Sequence, residues 1–238
     1  MNKEVQKNKD HMFEVHYKQF ASFQSLLPTN PPISNKKDQI KKQNLTYIRL
    51  INVIPNKSGI AIYINRNQLI PNLSYKDSSQ YLSLPSGVHF IELYNTDDLS
   101  KPIYSEQINL LAEQIYTIAI GNKLDQISLY SYMDNTTLPL GEAKIRFINL
   151  SPNSPNLDFA VKAGEGDVVF SNVPYRSASE YLPITPMSVN LEIRLSGTKT
   201  IILPLYKTKF KENTVYDLIS VGCVEEGPRF EVIKLYYL

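Results

Sequence analysis

The chain repeats itself, and this repetition limits its fold more than any other feature of the sequence. Residues 48–56 match residues 145–153 at an offset of 97, and three later blocks follow in the same order at offsets of 100 or 101. The later matches join residues 72–82 to 172–182, 91–93 to 191–193, and 116–121 to 216–222. Four matched blocks in one order indicate a duplicated unit of about 95 residues, so we expect two similar domains.

Each unit has the sequence pattern of β structure. Within residues 60–64, three isoleucines alternate with Ala61 and Tyr63, which is the period of a strand with one buried face. Turn residues such as those at 85–87 separate runs of this kind, about seven to a unit. No window after residue 46 shows a helical period, which argues against crossover helices and parallel sheets. The sequence predicts an all-β chain of two tandem antiparallel immunoglobulin-like or prealbumin-like β-sandwiches.

These patterns predict the domain boundaries. Residues 1–45 form an N-terminal helix and tether, and residues 46–133 form the first sandwich. Residues 134–143, rich in Asn, Thr and Pro, form a linker, and residues 144–238 form the second sandwich.

The N-terminal arm carries a stripe of mainly aromatic residues at helical spacing. Its members are three, four, three and four residues apart, and prolines from position 28 onward end the pattern. The arm has eight lysines and four acidic residues, so it is positive while the repeats are slightly negative. A short helix here could pack against its own sandwich, dock onto another subunit or protein, or lie on a membrane surface. The predicted partner-binding residues are Phe13, Phe20, Phe23 and Leu27, with His16 on the same stripe.

Few residues in the chain suit catalysis or metal binding. A single cysteine, Cys223, excludes an internal disulfide framework and a multi-cysteine metal site, and we expect it to be buried and inert. His89 is the only histidine of the two repeats, and no nucleophile motif lies near it. A net charge of +2 over 238 residues gives no footprint for nucleic acid. We therefore predict no catalytic residue, no cofactor, no metal and no nucleic-acid partner.

Three sets of polar residues have both a structural and a ligand-binding interpretation. Asp158, with Glu165 and Asp167, fits a solvated turn better than a calcium site, whose loops are usually more acidic. Two asparagines beside Pro-containing loops are expected to hold those loops by side-chain hydrogen bonds. Two tyrosines recur at equivalent positions in each copy, which favours rings packed on the core, with hydroxyls bonded to loop backbone, over a sugar-stacking platform. The residues are Asn52 and Asn149, then Tyr75, Tyr81, Tyr175 and Tyr181.

The second repeat resembles a bacterial domain family of unknown function. Residues 146–158, then 181–182 and 216–222, follow a signature of arginine, aliphatic residues, histidine, a small residue and Ser-Pro-Asp-x-Pro-x-Val-Asp. The resemblance covers about residues 46–238 in two copies. It implies tandem β-sandwich modules, often at the bacterial cell surface, with no known catalytic residue. The chain departs from the family at Asn52 and Asn149, which stand where histidine is usual, and at Ala61, where the second copy has Asp158.

Together these features predict a non-enzymatic structural or assembly protein of a bacterial surface or spore layer. The arm would connect subunits, and the partner would be the same protein or another surface-layer protein. The alternative is a carbohydrate- or peptide-binding module that uses loops at one end of a sandwich, with a glycan as partner; an accessory domain of an enzyme ranks third. Residues 1–27 lack a signal-peptide pattern, which predicts cytoplasmic synthesis, with the spore or cell surface as the candidate destination. No apolar run reaches the ~18 residues of a membrane span.

Overall fold

All regular structure in the described part of the chain is β structure. The computed structural model describes residues 12–14, 44–55, 59–123, 126–161, 167–225 and 227–237, and every regular element within them is a strand. Accordingly, these residues include no helix with the length and apolar character of a membrane span. The chain forms two compact units: the N-terminal sandwich, which ends at Asn135, and the C-terminal sandwich, which begins at Thr136 and also includes Met12–Glu14.

The helix predicted for the N-terminal arm is not seen. The start of the predicted helix falls in a short strand, β1 (Met12–Glu14), which lies in the C-terminal sandwich. Phe13 of the predicted stripe is therefore part of a strand, because an available sheet edge can pair with its backbone. His16, Phe20, Phe23 and Leu27 lie outside the described residues.

The N-terminal sandwich consists of eight strands in two sheets. Sheet A has the order β5-β2-β8-β9 and sheet B the order β4-β3-β6-β7. The strands are β2 (Leu45–Asn52), β3 (Ile60–Ile64), β4 (Asn67–Leu73), β5 (Leu82–Pro85), β6 (Gly87–Asn95), β7 (Tyr104–Leu110), β8 (Ile115–Lys123) and β9 (Gln126–Met133).

The C-terminal sandwich repeats this arrangement. Sheet C has the order β13-β10-β16-β17, with β1 added beyond β17, and sheet D has the order β12-β11-β14-β15. The strands are β10 (Ala143–Asn149), β11 (Leu157–Val161), β12 (Val168–Val173), β13 (Leu182–Ile184), β14 (Met187–Leu195), β15 (Ile201–Phe210), β16 (Thr214–Val221) and β17 (Glu231–Tyr237). The strand orders of the two sandwiches therefore correspond element by element.

Each sandwich encloses its own apolar core. Alternate residues of each strand point inward: Ile48 and Leu50 of sheet A are fully buried together with Ile91 and Leu93 of sheet B. Burying one such side chain contributes about 1.5–3 kcal/mol, so these positions determine which face of β2 and which face of β6 point into the core. The equivalent core of the C-terminal sandwich is built around Phe147, Phe159, Leu191, Ile193 and Leu218.

Two features of the sheets differ from the prediction. The described residues of each repeat form eight strands rather than about seven, and sheets A and C are mixed rather than purely antiparallel. The strand β2 pairs in parallel with β8, and β10 pairs in parallel with β16. A parallel pair needs a long crossover connection, usually a helix. Here the intervening strands supply that length by crossing to the other sheet and back, which periodicity alone does not reveal.

One buried hydroxyl in the C-terminal core is unpaired. Thr208 on β15 is fully buried, and its Oγ1 has no hydrogen-bond partner among the described residues. The register of β6 with β7 and of β14 with β15 places Ile108 at the equivalent position of the N-terminal sandwich. The fold thus accepts an apolar side chain at this position.

Replacing Thr208 by valine should stabilise the C-terminal sandwich. The substitution removes an unsatisfied hydroxyl while keeping the shape, so we expect the free energy of unfolding to rise by up to about 1 kcal/mol. Urea denaturation measures this change. Thr214 is the matched control, because its buried hydroxyl donates to the Glu212 carbonyl at 3.0 Å, so Thr214→Val should be destabilising. A lower stability of Thr208→Val would contradict this account of the site.

Candidate functional site

The N-terminal arm contributes a strand to the edge of sheet C. The strand β1 runs parallel to β17, with Met12 opposite Val232, Phe13 opposite Ile233 and Glu14 opposite Lys234. On its other side β17 pairs antiparallel with β16. An exposed strand edge presents unpaired N–H and C=O groups that readily accept another strand. Residues Met12–Glu14 of the predicted connector therefore occupy the β17 edge of sheet C.

A buried arginine in the N-terminal sandwich is held by a polar network. Arg49 on β2 is 2% exposed, and its Nη2 donates to Oγ1 of Thr117 on β8 at 2.8 Å. Thr117 in turn donates to Oδ2 of Asp134 at 2.7 Å, and the hydroxyl of Tyr81 donates to the same oxygen at 2.8 Å. The Arg49 guanidinium lies 5.0 Å from the centre of the Tyr81 ring. The carboxylate and the ring together compensate the buried cation.

The C-terminal sandwich holds the equivalent arginine with a different carboxylate. Nε of Arg146 lies 2.9 Å from Oδ1 of Asp217, and both side chains are almost fully buried. The Tyr181 hydroxyl donates to the same oxygen at 2.9 Å and lies 2.8 Å from the Tyr237 hydroxyl. The Arg146 guanidinium is 4.4 Å from the centre of the Tyr181 ring.

The strand registers show how the two networks correspond. Arg49 is paired with Thr117, and Arg146 with Asp217, so the threonine and the aspartate occupy equivalent positions. Met133 of β9 lies opposite Tyr116, and Tyr236 of β17 lies opposite Tyr216. Asp134 and Tyr237 are the next residues, so they occupy equivalent positions. The carboxylate therefore comes from β16 in one repeat and from the residue directly after β9 in the other, while the arginine and its tyrosine occupy equivalent positions. A role in neutralising a buried cation explains this change.

The structural interpretation of the recurring asparagines is confirmed. Nδ2 of Asn52 donates to the Leu73 carbonyl at 3.0 Å, and its Oδ1 accepts the N–H of Ile54 at 3.0 Å. Asn149 makes the same two bonds, to the Val173 carbonyl and from the N–H of Ser151. These side chains tie the loop after the first strand of each repeat to the opposite sheet.

The hydroxyls of two recurring tyrosines have partners other than those expected. Tyr81 and Tyr181 donate to buried carboxylates rather than to loop backbone. Tyr75 and Tyr175 each lie beside the next residue's cation: Nζ of Lys76 and the Arg176 guanidinium are both 5.1 Å from the respective ring centres. The sequence gives no sign of the Asp134 and Asp217 networks except the repeated arginine and tyrosine, because the carboxylates occupy positions that are not equivalent in the two repeats.

His89 stabilises the turn between β3 and β4 by hydrogen bonds. It is 5% exposed; its Nε2 donates to the Pro85 carbonyl at 2.7 Å, and its Nδ1 accepts from Nδ2 of Asn65 at 3.0 Å. Asn65 and Arg66 have φ values of 51° and 67°, as a two-residue type I′ hairpin turn requires. Both ring nitrogens of His89 are thus engaged in hydrogen bonds within the fold.

Asp158 is buried, not solvated as expected. Its Oδ1 accepts the N–H of Asn172 at 2.6 Å, and its Oδ2 accepts the N–H of Gly197 at 2.9 Å. Burial acts to raise the pKa of this carboxyl, but these hydrogen bonds and the nearby Arg194 lower it on balance. Both oxygens therefore stabilise backbone. Glu165 lies outside the described residues, within which no group of three or more metal-ligating His, Cys, Asp or Glu side chains occurs.

Cys223 and a shallow cavity are the remaining site candidates. Cys223 is half-buried rather than fully buried, and burial raises the pKa of its thiol, which disfavours the reactive thiolate. A shallow cavity of about 290 Å³ lies between β12 and the loop at 174–179. Neither Tyr175 nor Tyr181 lines it, and its lining has no charged side chain.

A family model matches part of the chain. The model of a domain of unknown function, DUF4397, matches residues 46–160 of the chain. The match covers the whole N-terminal sandwich and continues into β11. None of the curated proteins matches the chain.

Several solved structures share a distant likeness with the chain. The TIE protein of Bacillus anthracis is 9% identical, with a TM-score of 0.25, over 75% of this chain and 34% of its own. The chain therefore spans about a third of that protein. A family CBM26 module of Eubacterium rectale Amy13K, solved with maltoheptaose, is 11% identical, with a TM-score of 0.23, over 81% of this chain and 96% of its own. A leucine-rich repeat protein of Bacteroides thetaiotaomicron is 11% identical, with a TM-score of 0.20, over 77% and 27%. These likenesses transfer no function.

Proposed function

We propose that this chain is a non-enzymatic structural protein of a bacterial surface or spore layer, in which the N-terminal arm connects subunits. The observation that carries the proposal is the pairing of β1 with the edge of β17. It supports a connector that acts by strand addition, a common mode of protein association in which backbone hydrogen bonds supply the affinity.

The short pairing and the long connection favour exchange between subunits. Only Met12–Glu14 pair with β17, and each backbone hydrogen bond contributes about 0.5–1.5 kcal/mol net, so releasing the strand costs little. Residues 15–44 join β1 to β2, and thirty residues span at most about 100 Å when fully extended. The same strand can therefore reach the β17 edge of a neighbouring subunit, which is the low-cost route of domain swapping.

The use of the buried ionisable groups supports a non-enzymatic role. Arg146 pairs with Asp217, Arg194 pairs with Glu192, and Asp158 accepts two backbone N–H groups. His89 makes two hydrogen bonds that hold a turn. Groups with the chemistry of a general acid or base are thus engaged in stabilising the sandwiches, which leaves assembly as the better supported role.

Deleting residues 1–44 should abolish assembly. The truncated chain keeps both cores but loses β1, so we expect light scattering and negative-stain imaging to show oligomers or fibres for the full chain and monomers for the truncation. Assembly that persists unchanged in the truncated chain would refute the connector role.

Point variants separate the strand from the aromatic stripe. Replacing both Phe13 and Glu14 by proline removes N–H groups from β1, and we expect it to weaken assembly as much as the deletion. Replacing the same two residues by alanine is the matched control, because alanine keeps the backbone donors. Serine at Phe20, Phe23 and Leu27 tests the stripe. Loss of assembly in the stripe variant alone would contradict strand addition.

A further inference from the structure

The outward face of sheet B carries a row of exposed aromatic and apolar side chains. Val88 and Phe90 on β6 are 64% and 37% exposed, and Tyr94 further along the strand and Tyr63 on β3 are half-buried. The core is formed by the alternate residues of these strands, such as Ile91. The outward side chains are therefore not required to close the core.

The aromatic rings form one group around a carboxylate. Tyr63 lies directly opposite Glu92 in the β3–β6 register, so Phe90 and Tyr94 are its two diagonal neighbours. The ring centres of Tyr63 and Tyr94 are 4.8 Å apart, with their planes inclined at 56°. The Tyr94 hydroxyl donates to Oε1 of Glu92 at 3.4 Å. The two rings thus present an angled surface with a hydrogen-bond acceptor beside it.

The second repeat shows that the fold does not need these rings. By strand register, Ala160 takes the place of Tyr63 and lies opposite Glu192. Asn190 corresponds to Phe90, and Arg194, which corresponds to Tyr94, forms a buried ion pair with Glu192. The carboxylate position is common to both copies, but the aromatic group is confined to the first. Its presence there calls for an explanation outside the fold.

The polar surroundings of the group resemble those of a sugar site. Ser105 lies opposite Glu92, Gln107 opposite Phe90, and Gln68 opposite Tyr63, and all three are exposed. Aromatic faces bind the apolar C–H faces of sugar rings, while amide, hydroxyl and carboxylate groups hydrogen-bond to the sugar hydroxyls.

Charge and size select one class of ligand. The four strands of sheet B contain no lysine or arginine, whereas Glu92 places a negative charge within the group, so an acidic glycan or a phosphate would be repelled. A stable protein interface needs about 20–30 residues a side, which is far more than this group provides. We propose that the outward face of sheet B binds a neutral oligosaccharide. This site is independent of the N-terminal arm and of subunit assembly.

Titration of the full chain with soluble neutral oligosaccharides tests the proposal. The probes are linear oligomers of glucose and of N-acetylglucosamine, and the readout is isothermal titration calorimetry. We expect saturable binding to at least one probe, and no binding to an acidic oligomer of similar length. The absence of saturable binding to any neutral probe would overturn the proposal.

Variants copied from the second repeat locate the site without disturbing the fold. Tyr63→Ala and Phe90→Asn place residues that the equivalent strands already contain, and each should weaken binding about tenfold or more. Tyr206→Ala, at a tyrosine 65% exposed on β15, is the matched control and should bind normally. Unchanged binding by both sheet B variants would overturn the site. So would a loss of self-assembly in these variants without a change in glycan binding, which would indicate a protein interface.

Discussion

Replacing Asp217 by threonine should lower the free energy of unfolding of the C-terminal sandwich by about 3–5 kcal/mol, because the substitution leaves Arg146 buried without its carboxylate. Arg146 is 3% exposed and Asp217 is fully buried, so water cannot readily replace the lost partner. The Tyr181 hydroxyl loses an acceptor at the same time. Urea denaturation with a check of the m-value measures the effect. A loss below about 1 kcal/mol would show that the pair is not the stabilising element described here.

The first repeat supplies a control for this prediction. Threonine is the residue found at the equivalent position 117, where Asp134, directly after β9, supplies the carboxylate. Combining Asp217→Thr with Tyr237→Asp therefore recreates that arrangement. Tyr237→Asp alone is destabilising because it removes a large buried ring, but the double variant should lose less than the sum of the single losses, by about 1–3 kcal/mol. Additive losses would contradict the correspondence of the two networks.

Replacing Asp158 by asparagine should destabilise the C-terminal sandwich by about 1–3 kcal/mol at neutral pH. The Asn172 and Gly197 N–H groups each donate to one carboxylate oxygen, and an asparagine side chain turns one of these acceptors into a donor. Asp167→Asn is the matched control, because Asp167 is exposed and contacts Val161 through its backbone carbonyl. Equal stability of the two variants would contradict the role of Asp158.

The Asp158 carboxyl should make the free energy of unfolding depend on pH in the acid range. Its pKa in the folded state lies below the ordinary value of 3.8, so its contribution is present above about pH 4 and is lost as the pH falls through the lower folded pKa. We expect the stability difference between the wild type and Asp158→Asn to narrow below pH 4. A difference that stays constant down to pH 2 would contradict this linkage.

Local signals in the sequence predicted much of the fold. The matched blocks identified the repeated strands, and their residue types indicated turn and loop roles that Asn52 and Asn149 fulfil. These features depend on neighbouring residues and on the alternation of buried side chains, which the sequence displays directly.

Long-range features could not be derived in the same way. The parallel pairing of β2 with β8 depends on where the chain returns after crossing to the other sheet, and no local pattern encodes that return. No local pattern reveals where the carboxylate lies either: Asp217 on β16 bonds to Arg146 directly, whereas Asp134, just after β9, is linked to Arg49 through Thr117. The pairing of Met12–Glu14 with β17 depends on a distant strand edge, whereas the sequence of the arm has a helical period.

Cross-linking between chains tests the connector role most directly. Phe13 and Ile233 are Cα partners, and neighbouring strands lie about 4.8 Å apart, within the range of a disulfide. In a Cys223→Ser background, one chain carries Phe13→Cys and a second, separately tagged chain carries Ile233→Cys. The account predicts a disulfide between the two chains in assembled material, and none when the first chain also carries Glu14→Pro. Assembled material that contains no such disulfide would contradict the account.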